Sequence, residues 1–264
     1  MALCALSIAT LTTSSAQAVN INVAVAANFT NTMNSLIGAF KLAFPSKGYT
    51  VTFASDSSAV LQSRIISHSV AYDLFLSADQ TRPQQLLTNY PTLVTGPIFL
   101  YAVGELELWS PTNNVSAGLP SPLTTNIAIA DPAKAPYGAA AAQVLASSPW
   151  SIAPPFTAAN HVILRPNIGL TYTDIKNGVY AYGFIHQSAI CKLVNGVKTF
   201  NSGFHHTYPY NDPAHPHNRI LQYGIKVVNS ARTAAQNTEL TDFLNFLATP
   251  TAQNIVKSSC YALS

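Results

Sequence analysis

The stretch Ile21-Asn22-Val23-Ala24-Val25-Ala26-Ala27-Asn28-Phe29 decides the fold. Residues 21–25 alternate with the period of two that marks a strand. Phe29, Met33, Leu36, Ile37 and Phe40 then fall on one face of a helix. The alternation returns over Tyr49–Phe53, Val60, Leu61 and Ile65 mark a second helix, and Asp73–Leu76 reads as a short apolar strand. This strand-helix-strand-helix-strand order predicts a parallel sheet covered by helices.

Outward from that unit, residues 97–109 (PIFLYAVGELELW) form a long extended stretch, long enough to cross into a second lobe. Strand and helix patterns alternate again beyond it: strands at Asn126–Ala130, His161–Leu164 and Tyr180–Ile185, helices at Ala139–Leu145 and Leu170–Asn177. Tyr223–Val228 is extended and can cross back. Leu240, Phe243, Leu244 and Leu247 make one helical face, and Thr249-Pro250 supplies a cap and a first-turn proline for a last helix. The expected organisation is two α/β lobes joined by two crossover strands, with residues 19–98 and 222–264 in the first lobe and 99–221 in the second. Residues 201–219, with three prolines and His205, His206, His215 and His217, read as one long irregular loop.

Of the 264 residues, 48% are apolar and only 9% are charged, against roughly 25% charged in an ordinary soluble domain. The net charge of +3 is spread along the chain without a basic run, which argues against a nucleic-acid footprint. Residues 2–11 are apolar, and Ala16-Gln17-Ala18 fits the small-x-small rule for export cleavage. Residues 1–18 thus read as a signal peptide, truncated because it lacks a basic start, and the mature protein as exported and monomeric. Cys4 leaves with the signal. Export would allow Cys191 and Cys260 to pair, and the sequence leaves a bridge and two buried thiols both open.

Four strand-to-helix junctions share one property. Asn28, the serines at 55, 57 and 58, Pro136-Tyr137-Gly138 and Asn167-Ile168-Gly169 each stand where a helix begins. The first turn of a helix has unpaired N–H groups and a partial positive charge, the makings of an anion site. Singly, each is explained as a cap. In a two-lobed α/β protein, where ligands sit beyond the carboxyl ends of the strands, the four can face one cleft.

Ala26-Ala27-Asn28-Phe29-Thr30, the serines of 55–58, Asp73-Leu74-Phe75-Leu76-Ser77-Ala78-Asp79, Asp131-Pro132, Pro136-Tyr137-Gly138 and Gly183-Phe184-Ile185 occur in the order found in one family. From about Val23 to Val256 the chain resembles the periplasmic molybdate-binding proteins of ATP-driven bacterial importers. The resemblance implies a two-lobed periplasmic binding protein of type II, each lobe a mainly parallel sheet flanked by helices. It further implies molybdate or tungstate as ligand, a membrane permease as partner, a periplasmic location and no cofactor. Its ligand positions fall on Asn28, on Ser58 with Ser57 as its neighbour, on the backbone N–H groups of Tyr137 and Ile168, and on His186. Asn28 stands where the family usually has a hydroxyl residue, and His186 where several members have a tyrosine. A histidine that donated only when protonated would make affinity fall as pH rises.

Electrostatics supports such a site. Burying an unsolvated ion costs tens of kcal/mol by idealised arguments. A helix end returns about 0.3–2 kcal/mol, and a hydrogen bond to a charged group about 1.5–3 kcal/mol. A closed shell of about six donors is therefore required, and neutral donors suffice without a cluster of Arg or Lys. Two readings compete: a sulfate-like oxyanion in the same cleft, or a divalent metal on His205, His206, His215 and His217. Catalysis finds little support, since no Gly-x-Ser-x-Gly elbow, Walker A loop or Gly-x-Gly-x-x-Gly occurs.

Overall fold

The computed structural model describes residues 19–201 and 203–264, so the expected signal segment lies outside the described residues. Val19–Ala26 is β1, Thr30–Ala43 α1, Tyr49–Asp56 β2, Ser58–Ile66 α2, Leu74–Ser77 β3, Thr81–Asn89 α3, and Val94–Gly104 β4. Leu106–Ser110 is β5, Ile127–Ala130 β6, Pro136–Ala146 α4, Val162–Arg165 β7, Ile168–Lys176 α5, and Tyr182–His186 β8. Cys191–Val194 (β9) and Val197–Phe200 (β10) form a hairpin. Phe204–Tyr208 (β11), Ile220–Val227 (β12), Ala234–Leu247 (α6) and Pro250–Ser258 (α7) complete the order.

One sheet runs β2-β1-β3-β12-β4 and the other β11-β5-β8-β6-β7. In the first, β1 pairs parallel with β2 and β3, whereas β12 is antiparallel to β3 and β4. In the second, β6 pairs parallel with β7 and β8, whereas β5 is antiparallel to β8 and β11. Each sheet is thus half parallel rather than mainly parallel. The parallel half comes from the local strand-helix-strand units, and the antiparallel half from the strands that pass between the sheets. The chain leaves the first sheet after β4, which stays paired to Gly104, and returns with β12 from Ile220.

Burial follows the pattern of the sequence. The described side chains of β1, apart from Asn20 and Asn22, are buried, and β3, β6 and β8 are buried throughout, as strands covered on both faces require. Met33, Leu36 and Phe40 of α1 join Phe243 and Phe246 of α6 on one face of the first sheet. Leu61 and Ile65 of α2 and Leu86 of α3 cover the other. In the second sheet the alanine-rich face of α4 packs on Ile127, Ile129 and Phe184, and Ile175 of α5 packs on the opposite side with Trp109.

The segment 201–219 departs from the expected loop. Phe204–Tyr208 is the edge strand β11, held on β5 by ladder bonds and by side chains. The carboxylate of Glu107, fully buried, accepts from Thr207 Oγ1 at 2.9 Å and Gln187 Nε2 at 2.9 Å, with His205 Nδ1 at 2.8 Å. A buried carboxylate needs such partners, and supplying them outweighs the turn-like composition around it. Cys191 and Cys260 form a disulfide, with Cα atoms 5.9 Å apart, joining the β9–β10 hairpin to the end of α7.

Candidate functional site

Five of the six expected residues wall one void between the two sheets. Asn28, Ser57 and Ser58 approach from the first lobe, Tyr137 and Ile168 from the second, with Ala26, Ala27, Asp56, Ala78, Ala135 and Pro136 between them. The space is small, about 10 Å³, the scale of one water molecule. The lobes meet around it. Asn167 Nδ2 donates to Asp56 Oδ1 at 3.3 Å, the Ala59 N–H donates to the Lys134 carbonyl at 3.1 Å, and Arg82 Nη2 to the Ala133 carbonyl at 3.1 Å.

Each wall is a helix start. Ser57 is the residue before α2, extended at φ −63°, ψ 148°, yet its hydroxyl makes no capping bond and is buried without a partner. A serine in that position ordinarily satisfies the helix, so an idle buried hydroxyl is what a ligand donor looks like. Ser58 Oγ accepts from the Ala78 N–H at 3.0 Å, which leaves its own hydrogen free to donate. Tyr137 and Ile168 lie in the first turns of α4 and α5, where N–H groups have no intrahelical acceptor. Asn167 caps α5 through the Leu170 N–H at 2.9 Å, and that cap leaves the Ile168 N–H unclaimed.

Among the described residues, no Lys or Arg lines the void and the one formal charge in its wall is Asp56. Its Oδ1 accepts from the Ser57 N–H at 2.8 Å and its Oδ2 meets Arg64 Nη2 at 2.8 Å. Arg64 offsets that carboxylate and leaves the neutral donors to act on a guest.

His186 stands apart. It ends β8, is buried against Tyr137 and Tyr172, and is not among the residues lining the void. Desolvation by burial pushes its pKa down to about 3, so the ring is neutral in the physiological range and the expected charge switch is corrected. Affinity measured by calorimetry should therefore follow no histidine titration between pH 5 and 8. The sign for stability is separate. The unfolded chain takes up this proton below about 6.5 and the folded chain only near 3, so His186 withdraws stability as pH falls between those values.

The four loop histidines do not converge as the metal reading required. His205 faces Glu107, His206 the Ser116 carbonyl, His215 Asp212, and His217 the carbonyls of Asn218 and Tyr208. Among the described residues no three His, Cys, Asp or Glu side chains gather as a metal ion needs. Each histidine already serves a local bond.

Sequence reasoning missed the layer behind Asn28. Its amide Nδ2 donates to Gln222 Oε1 at 2.8 Å and to the Tyr261 hydroxyl at 3.0 Å, and Gln222 Nε2 donates to the Tyr137 hydroxyl at 3.3 Å. These partners lie 194 and 233 residues from Asn28, beyond the reach of any local pattern.

A void walled by helix starts from two α/β lobes defines a two-lobed binding protein. Residues 21–261 match the family model described as bacterial extracellular solute-binding protein. The molybdate-binding protein ModA of Azotobacter vinelandii is 29% identical over 252 residues, covering 94% of this chain and 92% of that protein. The molybdate-binding protein ModA of Rhodobacter capsulatus is 31% identical over 243 residues, covering 90% and 86%. The solved structure of the Azotobacter vinelandii periplasmic molybdate-binding protein superimposes with a TM-score of 0.76 at 25% identity, covering 92% of this chain and 99% of that one. The chain belongs to the bacterial extracellular solute-binding protein family, and its relatives are binding proteins rather than enzymes.

Proposed function

We propose that this protein captures molybdate or tungstate in the interlobe void, in the periplasm, and delivers it as a monomer to an ATP-driven membrane permease. The first lobe comprises residues 19–98 and 222–264 and the second 99–221, with β4 and β12 as the crossovers. The supporting observation is the convergence of Asn28, Ser57, Ser58, Tyr137 and Ile168, from helix starts in both lobes, on one void. Their hydroxyls and backbone N–H groups form a shell that donates, suited to an anion with no proton of its own. The likeness to molybdate-binding relatives over most of the chain supports the same ligand.

Calorimetry against molybdate, tungstate, sulfate and phosphate tests this. Molybdate and tungstate should bind and sulfate should bind more weakly; a preference for sulfate or phosphate overturns the ligand. Ser58→Ala removes one donor to the anion and should weaken binding by about 1.5–3 kcal/mol. Unchanged affinity would remove Ser58 from the shell.

A further inference from the structure

Asn28 lines the void, yet its side chain faces two ways. Both hydrogens of its amide are committed behind the void, to Gln222 Oε1 and to the Tyr261 hydroxyl. Its Oδ1 is buried without a hydrogen-bond partner. An acceptor turned to the guest repels an oxyanion, and an idle buried carbonyl oxygen is itself costly.

A half-turn of the amide resolves both problems. Nδ2 then faces the void, and Oδ1 takes the place among Gln222 and Tyr261. The side-chain neighbours can answer that exchange, while the Asn28 carbonyl gives up the Tyr261 hydrogen and keeps Ser188 Oγ at 3.4 Å. The Tyr261 hydroxyl now donates to the Asn28 carbonyl at 2.8 Å and accepts from Ser188 Oγ at 2.7 Å, so its hydrogen can turn to Oδ1. Gln222 can turn its own amide, offering Nε2 to Asn28 and Oε1 to the Tyr137 hydroxyl. The Tyr101 hydroxyl, released from Oε1, keeps the Ser77 carbonyl at 3.0 Å.

The network joins the two sheets, with Asn28, Gln222, Tyr261 and Tyr101 of the crossover strand β4 beside the first and Tyr137 and Ser188 beside the second. Tyr137 reaches across beneath β4 where a side chain on Gly104 would overlap its hydroxyl. Tyr261 is held in place by its neighbour Cys260, bridged to Cys191, and by Phe29, ring centroids 5.3 Å apart.

We infer that Tyr261, with Gln222, is a positioning residue that sets which end of the Asn28 amide meets the ligand and so selects a fully deprotonated oxyanion over a protonated one. The inference rests on the oxyanion reading of the void. Tyr261 lies outside the lining and acts only through Asn28.

A double-mutant cycle with tungstate as the probe tests it. Tyr261→Phe keeps the packed ring and removes the hydroxyl. It should weaken tungstate about 10-fold, the scale of one hydrogen bond to a charged group. In an Asn28→Ala background the same change should shift affinity by less than about 2-fold, since the cycle isolates the coupling. The preference for tungstate over hydrogen phosphate should fall by the same factor of about 10. Equal weakening in both backgrounds, or no weakening in either, overturns the inference. Should Tyr261→Phe not fold, Ser188→Ala at the partly exposed edge of the network replaces it in the cycle. A smaller loss that disappears with Asn28→Ala supports the inference, and any other pattern overturns it. A wild-type protein that binds no oxyanion overturns the reading of the void itself, an outcome separate from binding with an unaltered cycle.

Discussion

Reducing the Cys191–Cys260 bridge is expected to lower the melting temperature by about 4–16 °C. The two cysteines are 69 residues apart, so the bond withdraws a long loop from the unfolded ensemble. Bridges of that kind are worth about 2–4 kcal/mol, and in a chain of this size each kcal/mol moves the midpoint by about 2–4 °C. The location adds to the effect, because the bond ties a hairpin of the second lobe to the end of α7 in the first. Calorimetric scans with and without reductant, and on Cys191→Ser/Cys260→Ser, measure it. Equal midpoints would show that packing alone holds the hairpin.

Gly138→Ala should weaken oxyanion binding by about 10-fold or more. Gly138 is the third residue of α4, and a Cβ there would overlap the Ala130 carbonyl oxygen at the end of β6. That neighbour is backbone within a paired strand and cannot swing aside. The start of α4 must lift, carrying with it the Tyr137 N–H and the Ala135–Pro136 wall. Loss of the Tyr137 donor to a charged ligand weakens binding by about 1.5–3 kcal/mol, a factor of about 10 to 100. Overpacking itself costs about 1–3 kcal/mol of stability. Gly38→Ala in α1, with nothing within 4 Å of the added carbon, is the control and should leave binding untouched. Calorimetric titration of both variants checks the contrast, and wild-type affinity in Gly138→Ala would place α4 outside the site.

Local pattern carried the elements whose signal is local. The alternation at Ile21–Val25 and the helical face from Phe29 to Phe40 emerge as β1 and α1, and the turn at Pro136-Tyr137-Gly138 opens α4. Helix α3 escaped notice because Thr81–Asn89 buries only Pro83 and Leu86, too narrow a stripe to show a period. Strand β11 was hidden by the histidines and prolines around it, since its partner Glu107 lies 98 residues from His205. The same limit applies at the void. Helix starts can be recognised one at a time, which brings Asn28, Ser57, Ser58, Tyr137 and Ile168 into view. What orients Asn28 is Gln222 and Tyr261, whose side chains look like ordinary strand and tail residues until the fold sets them beside it.

Strand β12 lies between β3 and β4, although more than a hundred residues separate Gly104 from Ile220. As the polypeptide is synthesised, N-terminus first, the inner edges of β3 and β4 therefore stay bare until the residues between Gly104 and Ile220 have been made. Bare edges of that kind recruit other strands, and such long-range pairing is slow to form. The first sheet is accordingly among the last parts of the molecule to close, and the interval before β12 arrives is when a new chain most needs protection from its own kind.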